Sequence, residues 1–237
     1  MNERYNLMVD GVSLMDYGVA VTDGMIYSSP TPKFEKIEVP GRNGDLTIDE
    51  KTYSNFTLRY PAVIMEGFRN KFPALRDFLM SLKGYVRIED SYTPDLFRMG
   101  RFIGEIDPEV FRGHQSKLFE IKFWVQPQWY LKSGEIPIEI SEQTDVYNPT
   151  YQTALPKIEV TAGTGELWID DQRITITANN GALIIDSQMQ NCYEGTANRN
   201  GVVSFSNGEY PQLGPGRHTI TPASGMTIKL TPRWWRV

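Results

Sequence analysis

Along most of the chain, apolar and polar residues alternate with a period of two, the mark of half-buried strands. Tyr5, Leu7 and Val9 set the pattern, Asp10-Gly11 turns the chain, and Val12, Leu14 and Met15 open the next run. Asp23-Gly24 is a second turn signal, and the two prolines of Ser28-Ser29-Pro30-Thr31-Pro32 make that stretch a loop. Ile37 and Val39 lead into Pro40-Gly41-Arg42-Asn43-Gly44-Asp45, and Leu46 and Ile48 lead out of it. Tyr53, Phe56, Leu58 and Tyr60 then continue the sheet up to Pro61. Asn43-Gly44 between two extended runs predicts a type I′ hairpin turn, which needs positive φ at both central residues. Pro40 denies an amide to any neighbouring ladder, and Gly41 permits a backbone closed to larger residues. The stretch reads either as a plain surface turn or as a stiff loop that carries Arg42 and Asp45 outward.

One segment breaks the period of two. Phe68, Phe72, Leu75, Leu79 and Leu82 recur at steps of three or four, which predicts an amphipathic helix over residues 70–83. Asn70 is placed to cap its free amides, and Pro73 falls in the first turn, where a missing donor costs little. Gly84 suits the left-handed position just past the end. A single such helix among strands is a lid on one face of a sheet or a surface for a partner.

Strands resume at Tyr85, Val86 and Ile88, and again at Phe97, Met99 and Arg101-Phe102-Ile103. Lys117–Val125 alternates over most of its length, with Leu118 off the pattern, and Pro127 ends it. From about residue 131 charges thin out while Thr, Asn and Gly rise. Short runs recur at 157–161, 166–169, 173–177, 182–186, 201–205, 217–221 and 226–230, between turn signals such as Asn179-Asn180-Gly181 and Asn207-Gly208. Short strands at this spacing indicate an all-β sandwich or a small barrel. The expected fold is mainly β: an N-terminal β-rich domain with one amphipathic helix over residues 1–130, then a β-sandwich over residues 131–237.

Composition narrows the partners. The 237 residues are 40% apolar, enough to bury a core, and no apolar run reaches the ~18 residues of a transmembrane helix. The opening Met1-Asn2-Glu3-Arg4-Tyr5-Asn6 lacks the basic flank and apolar stretch of a signal peptide. The net charge is −5, with 16 basic against 18 acidic residues in 1–130 and 8 against 11 in 131–237. Neither half has the basic surplus that a phosphate backbone requires, so neither nucleic acid nor a membrane is an expected partner. Cys192 is the only cysteine, which excludes a disulfide framework and argues against thiolate-bound zinc.

No catalytic constellation stands out. His114 and His218 fall in different expected domains, neither in a metal-spaced cluster, and read as surface or hydrogen-bonded histidines. There is no Gly-x-Ser-x-Gly elbow and no Walker-type loop, and Gly214-Pro215-Gly216 reads as a turn. The acid pairs Glu89-Asp90 and Asp170-Asp171 are adjacent residues, which point to opposite faces of a strand and so cannot share one site as glycosidase carboxylates do. Asp170-Asp171 reads as a hairpin loop with solvated acids. No enzyme activity, cofactor or metal is therefore expected. Trp168, Trp234 and Trp235 are a different signal, since exposed tryptophan on a β-sandwich can hold the face of a sugar. Trp234 and Trp235 follow Pro232-Arg233 and face opposite ways. One is expected to pack inward and pin the terminal strand, and the other to meet the first domain or a neighbouring subunit.

Four stretches together resemble the distal tail protein family of siphophages that infect Gram-positive bacteria. They are Tyr5–Val12, Val39–Leu46, Phe123-Trp124-Val125-Gln126-Pro127 and Thr231-Pro232-Arg233-Trp234-Trp235, spread over nearly the whole chain in the family's order. The resemblance implies a structural virion protein at the phage tail tip, assembled in the host cytoplasm. Its N-terminal domain would form a homo-hexameric ring, a baseplate hub that joins the tail-tube protein to the tail-associated, tail-tip and receptor-binding machinery. Its C-terminal domain would be a galectin-like β-sandwich at the ring's edge. Galectin sugar chemistry does not carry over, because no His-x-Asn-x-Arg run is present and Trp168 is not followed by Glu and Arg. A ring uses two different faces of each subunit, and Pro40, Gly41, Arg42, Asn43, Gly44 and Asp45 are the expected assembly contact. The alternatives are a carbohydrate-binding β-sandwich for host cell-surface polysaccharide and, on the scattered acids alone, an enzyme acting on cell-wall glycans.

Overall fold

The computed structural model describes residues 5–22, 28–111 and 115–237. The expected turn at Asp23-Gly24, His114 and the opening Met1–Arg4 lie outside them. The chain divides into two compact units, residues 1–129 with Val237 and residues 130–236.

The strands of the first unit are β1 (Leu7–Val9), β2 (Val12–Ser13), β3 (Val19–Val21), β4 (Pro32–Ile37), β5 (Leu46–Tyr53), β6 (Phe56–Ile64), β7 (Val86–Asp90), β8 (Leu96–Phe102), β9 (Val110–Phe111), β10 (Gln115–Ser116) and β11 (Phe119–Val125). Seven of them form an antiparallel sheet in the order β2-β1-β7-β8-β11-β6-β3. The alternation along β11 sorts the two faces: Phe119, Ile121, Phe123 and Val125 are buried, while Glu120 and Trp124 are exposed. Helix α1 (Phe68–Ser81) lays Phe68, Leu75 and Leu79 into the same core, each worth about 1.5–3 kcal/mol of apolar burial. The helix is a lid on the sheet. Gly100 in β8 sits where the sheet is tightest: a Cβ there would strike Ile88 Cδ1 and stand 2.8 Å from Val125 Cγ1. Gly100→Ala is expected to cost about 1–3 kcal/mol through overpacking, read as a lower urea midpoint with an unchanged slope.

Several local expectations are corrected. Leu14 and Met15 do not open a strand; they lie in a 3-10 turn (Leu14–Tyr17), closed by Gly18 at φ +73. The I′ geometry occurs at Asp10-Gly11, with φ of +51 and +78 between paired Val9 and Val12, not at Asn43-Gly44, where only Gly44 is positive. The helix starts at Phe68, with Gly67 rather than Asn70 at its N-cap and no side-chain cap. Pro73 therefore lies in the second turn, inside the helix. Strand β6 does not stop at Pro61 but runs to Ile64. The Pro61 carbonyl accepts from the Thr22 N–H at 2.9 Å, so the missing proline donor falls just past the end of β3. Finally, the run 46–60 is not one sheet: β4 and β5 pair only with each other.

Strand β12 (Trp129–Leu131) begins on the last residue of the first run, and the second unit continues with β13 (Ile138–Ile140), β14 (Thr144–Asn148), β15 (Lys157–Ala162), β16 (Gly165–Ile169), β17 (Gln172–Ile176), β18 (Leu183–Asp186), β19 (Asn191–Glu194), β20 (Ala197–Asn198), β21 (Val203–Phe205), β22 (Gly216–Pro222), β23 (Thr227–Thr231) and β24 (Trp235–Arg236). One sheet runs β13-β23-β15-β18-β19-β20 and another β14-β22-β16-β17-β21. They share one apolar core, built from residues such as Ile158, Val160 and Leu230 on the first and Leu167, Ile174 and Ile220 on the second. This is the expected β-sandwich. Trp234 is buried in its core, and Trp235 packs half-buried against the same core with its Nε1–H donating to the Thr153 carbonyl at 2.9 Å. Both tryptophans are thus used within the second unit.

Candidate assembly surface

The loop expected to carry Arg42 and Asp45 is the tip of a hairpin arm. Strands β4 and β5 pair with Ile37 opposite Leu46 and Glu35 opposite Ile48, and residues 38–45 connect them. The turn closes three residues earlier than the Asn-Gly signal implies. The Arg42 N–H donates to the Val39 carbonyl at 3.1 Å, with Pro40 second and Gly41, at φ +81, third. Proline then a positive-φ glycine is the type II pattern. Asn43-Gly44 is left to carry the chain back towards β5.

Every residue from 31 to 52 is exposed. Ile37, Leu46 and Ile48, with Glu35, share one face of the arm; Phe34, Lys36, Thr47 and Asp49 share the other. Ile48 is 52% exposed, Phe34 46% and Leu46 41%. The Lys36 ammonium sits 5.6 Å from the Phe34 ring centre. A two-stranded hairpin is marginal in water by itself, and contiguous exposed apolar side chains mark an interaction surface. Both outer edges of the arm lack a strand partner among the described residues, and open edges accept strands. Charge on the arm is mixed, with Lys33, Lys36, Arg42 and Lys51 against Glu35, Glu38, Asp45, Asp49 and Glu50. Among the described residues, Arg42 and Asp45 form no ion pair, so both remain available at the tip.

The second unit offers a polar depression of about 450 Å³ lined by residues of the β16–β17 turn and the 206–212 loop, among them Asp171, Gln172, Asn207, Glu209 and Tyr210. Much of its hydrogen-bonding capacity is turned inward. Gln172 Nε2 donates to Asn207 Oδ1 at 2.8 Å and to the Glu209 carbonyl at 2.7 Å. Asp170 is an exposed acid of the β16–β17 hairpin turn, as the sequence suggests, and it also has partners. Its carboxylate meets His218 Nδ1 at 2.6 Å and accepts from the Thr219 N–H at 2.8 Å, while His218 Nε2 lies 2.7 Å from the Gly214 carbonyl. His218 ties the β16–β17 turn to the start of β22. Burial pushes the Cys192 thiol up, against a hydrogen bond to Tyr210 that pulls it down. Burial and Cys192 together push the Tyr210 hydroxyl up to about 12. Trp168 stands half-covered on the outer face of its sheet, with Arg173 opposite it and the guanidinium 5.9 Å from the ring centre. Glu89 and Asp90 do part to opposite faces. Asp90 is buried and accepts from the Tyr60 hydroxyl at 2.9 Å, and Glu89 pairs with Arg87. Among the described residues no cluster of three or more His, Cys, Asp or Glu is placed to hold a metal ion, and no helix is long and apolar enough to cross a membrane.

These features define a mainly β protein: one unit carrying an exposed hairpin arm and seven strands of one antiparallel sheet, the other a two-sheet sandwich. The fold is similar to that of a solved protein, SPP1 Dit (gp 19.1), described as a paradigm of the hub adsorption apparatus in phages that infect Gram-positive bacteria. The TM-score is 0.75, with 19% sequence identity, over 97% of this chain and 99% of that one. No family model matches the sequence, and no curated protein matches it.

Proposed function

We propose that this chain is a distal tail protein of a phage or prophage of Gram-positive bacteria, a structural hub rather than an enzyme. In this reading residues 1–130 assemble into a hexameric ring that continues the tail tube on one side and carries tail-tip and receptor-binding proteins on the other. Residues 131–237 form a galectin-like sandwich at the periphery. The observation that carries the reading is the arm at 31–52, whose apolar residues are exposed and whose outer strand edges have no strand partner among the described residues. A neighbouring copy in a ring supplies that cover through a heterologous contact, in which the arm of one subunit meets a different face of the next. The fold shared with SPP1 Dit supports the reading, and so do the four stretches that resemble the family.

The tip tests it. Purified protein is expected to contain a species of about six subunits by light scattering, visible as a ring in single-particle images. Arg42→Ala and Asp45→Ala, made together, are expected to shift it towards the monomer without moving the thermal midpoint, since exposed substitutions seldom change stability by more than about 0.5 kcal/mol. Rings that form as readily in the double variant would remove the tip from the interface. A second reading, binding to cell-surface polysaccharide, is favoured only by the outward Trp168 beside Arg173. It predicts glycan binding that Trp168→Ala abolishes.

A further inference from the structure

Asn-Gly occurs four times, at 43–44, 180–181, 200–201 and 207–208. All four asparagines are exposed, yet three are held. Asn180 Nδ2 donates to Glu194 Oε2 at 3.0 Å, and the Gly181 N–H donates to Asn179 Oδ1 at 2.8 Å. Asn200 Oδ1 accepts from the Cys192 N–H at 2.6 Å and from the Tyr210 hydroxyl at 3.2 Å. Asn207 Oδ1 accepts from Gln172 Nε2 and from the Glu209 N–H, while the Gly208 N–H donates to the Phe205 carbonyl at 3.1 Å. At the tip of the arm neither restraint exists. Among the described residues the Asn43 side chain makes no hydrogen bond, the Gly44 N–H has no acceptor, and no atom lies within 4 Å of where a Gly44 Cβ would stand.

Asn-Gly is the dipeptide in which the following backbone nitrogen reaches the side-chain carbonyl with least hindrance, because glycine has no Cβ and turns freely. We propose that Asn43-Gly44 is a self-modification site, at which the free subunit converts the asparagine of its arm into a carboxylate. The Gly44 nitrogen, losing its proton to solvent, attacks Asn43 Cγ. The new N–C bond closes a five-membered imide, and the Cγ–Nδ2 bond breaks to release ammonia. Water then opens the imide at either carbonyl. Attack at Cγ gives aspartate, and attack at the former backbone carbonyl gives isoaspartate, which routes the chain through the side chain. Nothing is oxidised or reduced, and water is the only co-reactant.

The product is a negative charge two residues from Asp45. In the isoaspartate form the arm also gains an extra methylene between the type II turn and β5. If the assembly reading above holds, this alters the contact loop of unassembled subunits, while a tip seated against a neighbour is shielded from the bending that the attack needs. The modification therefore favours fresh subunits over aged ones.

The test is to hold the full chain at mildly alkaline pH and physiological temperature, then map the four Asn-Gly peptides by mass spectrometry over time. Conversion at Asn43 is expected to outpace each of the other three by about tenfold or more, the rate ratio of a barrier lower by about 1.4 kcal/mol. Asn43→Gln, which keeps the amide but lengthens the ring to be closed, is expected to suppress the first acidic species seen on ion exchange. Equal rates at the four sites, or a faster site among 180, 200 and 207, overturn the proposal. The outcome does not depend on assembly: a chain that stays single yet converts at Asn43 removes the ring reading alone.

Discussion

Replacing Ile37, Leu46 and Ile48 together by threonine is expected to abolish self-association and leave the subunit folded. These three side chains lie on one face of β4–β5 and are 38%, 41% and 52% exposed. Neither buried core includes them, so their removal costs the monomer little, and threonine is itself β-branched, which suits a strand. Buried in an interface, apolar anchors of this kind contribute about 2 kcal/mol or more each, a factor of about 30 in Kd. On the proposed ring reading, the three together are expected to decide assembly at micromolar concentration. Analytical ultracentrifugation checks the assembly, and a urea titration of the same sample checks the fold. Association equal to the parent's would show that this face of the arm is not an interface.

The second large effect falls in the sandwich. Arg233→Met is expected to destabilise the second unit by about 3–5 kcal/mol, the cost of stranding a buried charge. Asp186 is 2% exposed, and both its oxygens are held by Arg233, at 2.7 and 2.8 Å. Burial alone would raise its carboxyl, but hydrogen bonds from Arg233 and from the Met189 and Gln188 N–H groups hold it below its ordinary value of 3.8. The sign of the pH dependence follows. A carboxyl lowered by folding stabilises the native state fully above its unfolded value, and that share fades as pH falls through the lowered value. In the variant the lone carboxyl is instead relieved when it gains a proton. The gap between parent and variant is therefore expected to be widest near neutrality and to narrow below about pH 4. Thermal melts of the two proteins across that range measure it. A gap that stays constant with pH would mean that the ion pair is not the source of the loss.

How much of this was legible in the sequence depends on distance along the chain. The strand β11, the α1 stripe and the turn at Asp10-Gly11 are local patterns, and they stand where the sequence puts them. The independence of the arm was not legible. Alternation at Ile37, Leu46 and Ile48 tells which residues share a face, but it does not tell whether anything covers that face. Thr144–Asn148 hides as a strand because three of its five residues are polar, and pairing with Gly216–Pro222 makes it one. Asp170 is exposed as its hairpin position implies, but its partner His218 is 48 residues away and not legible from the turn. In the sequence Arg233 stands out only as a neighbour of two tryptophans, although it carries the ion pair to Asp186. Its φ of +60 is rare for a residue with a side chain. The Arg233 N–H donates to the Gly134 carbonyl at 2.8 Å, and a Cβ on Gly134 would strike the Trp234 backbone nitrogen. No spacing rule joins positions a hundred residues apart.

The pairing of Ile138–Ile140 with Thr227–Thr231 sets a timetable for synthesis. The first strand of that sheet leaves the ribosome some ninety residues before the strand it pairs with, and Trp234, which fills the core, comes later still. Residues 130–226 therefore spend the interval with an open sheet edge and an unfilled interior, while the strands β1 to β11 of the preceding unit have already been made. Translation completes the two halves of this protein in sequence, and the vulnerable window belongs to the second.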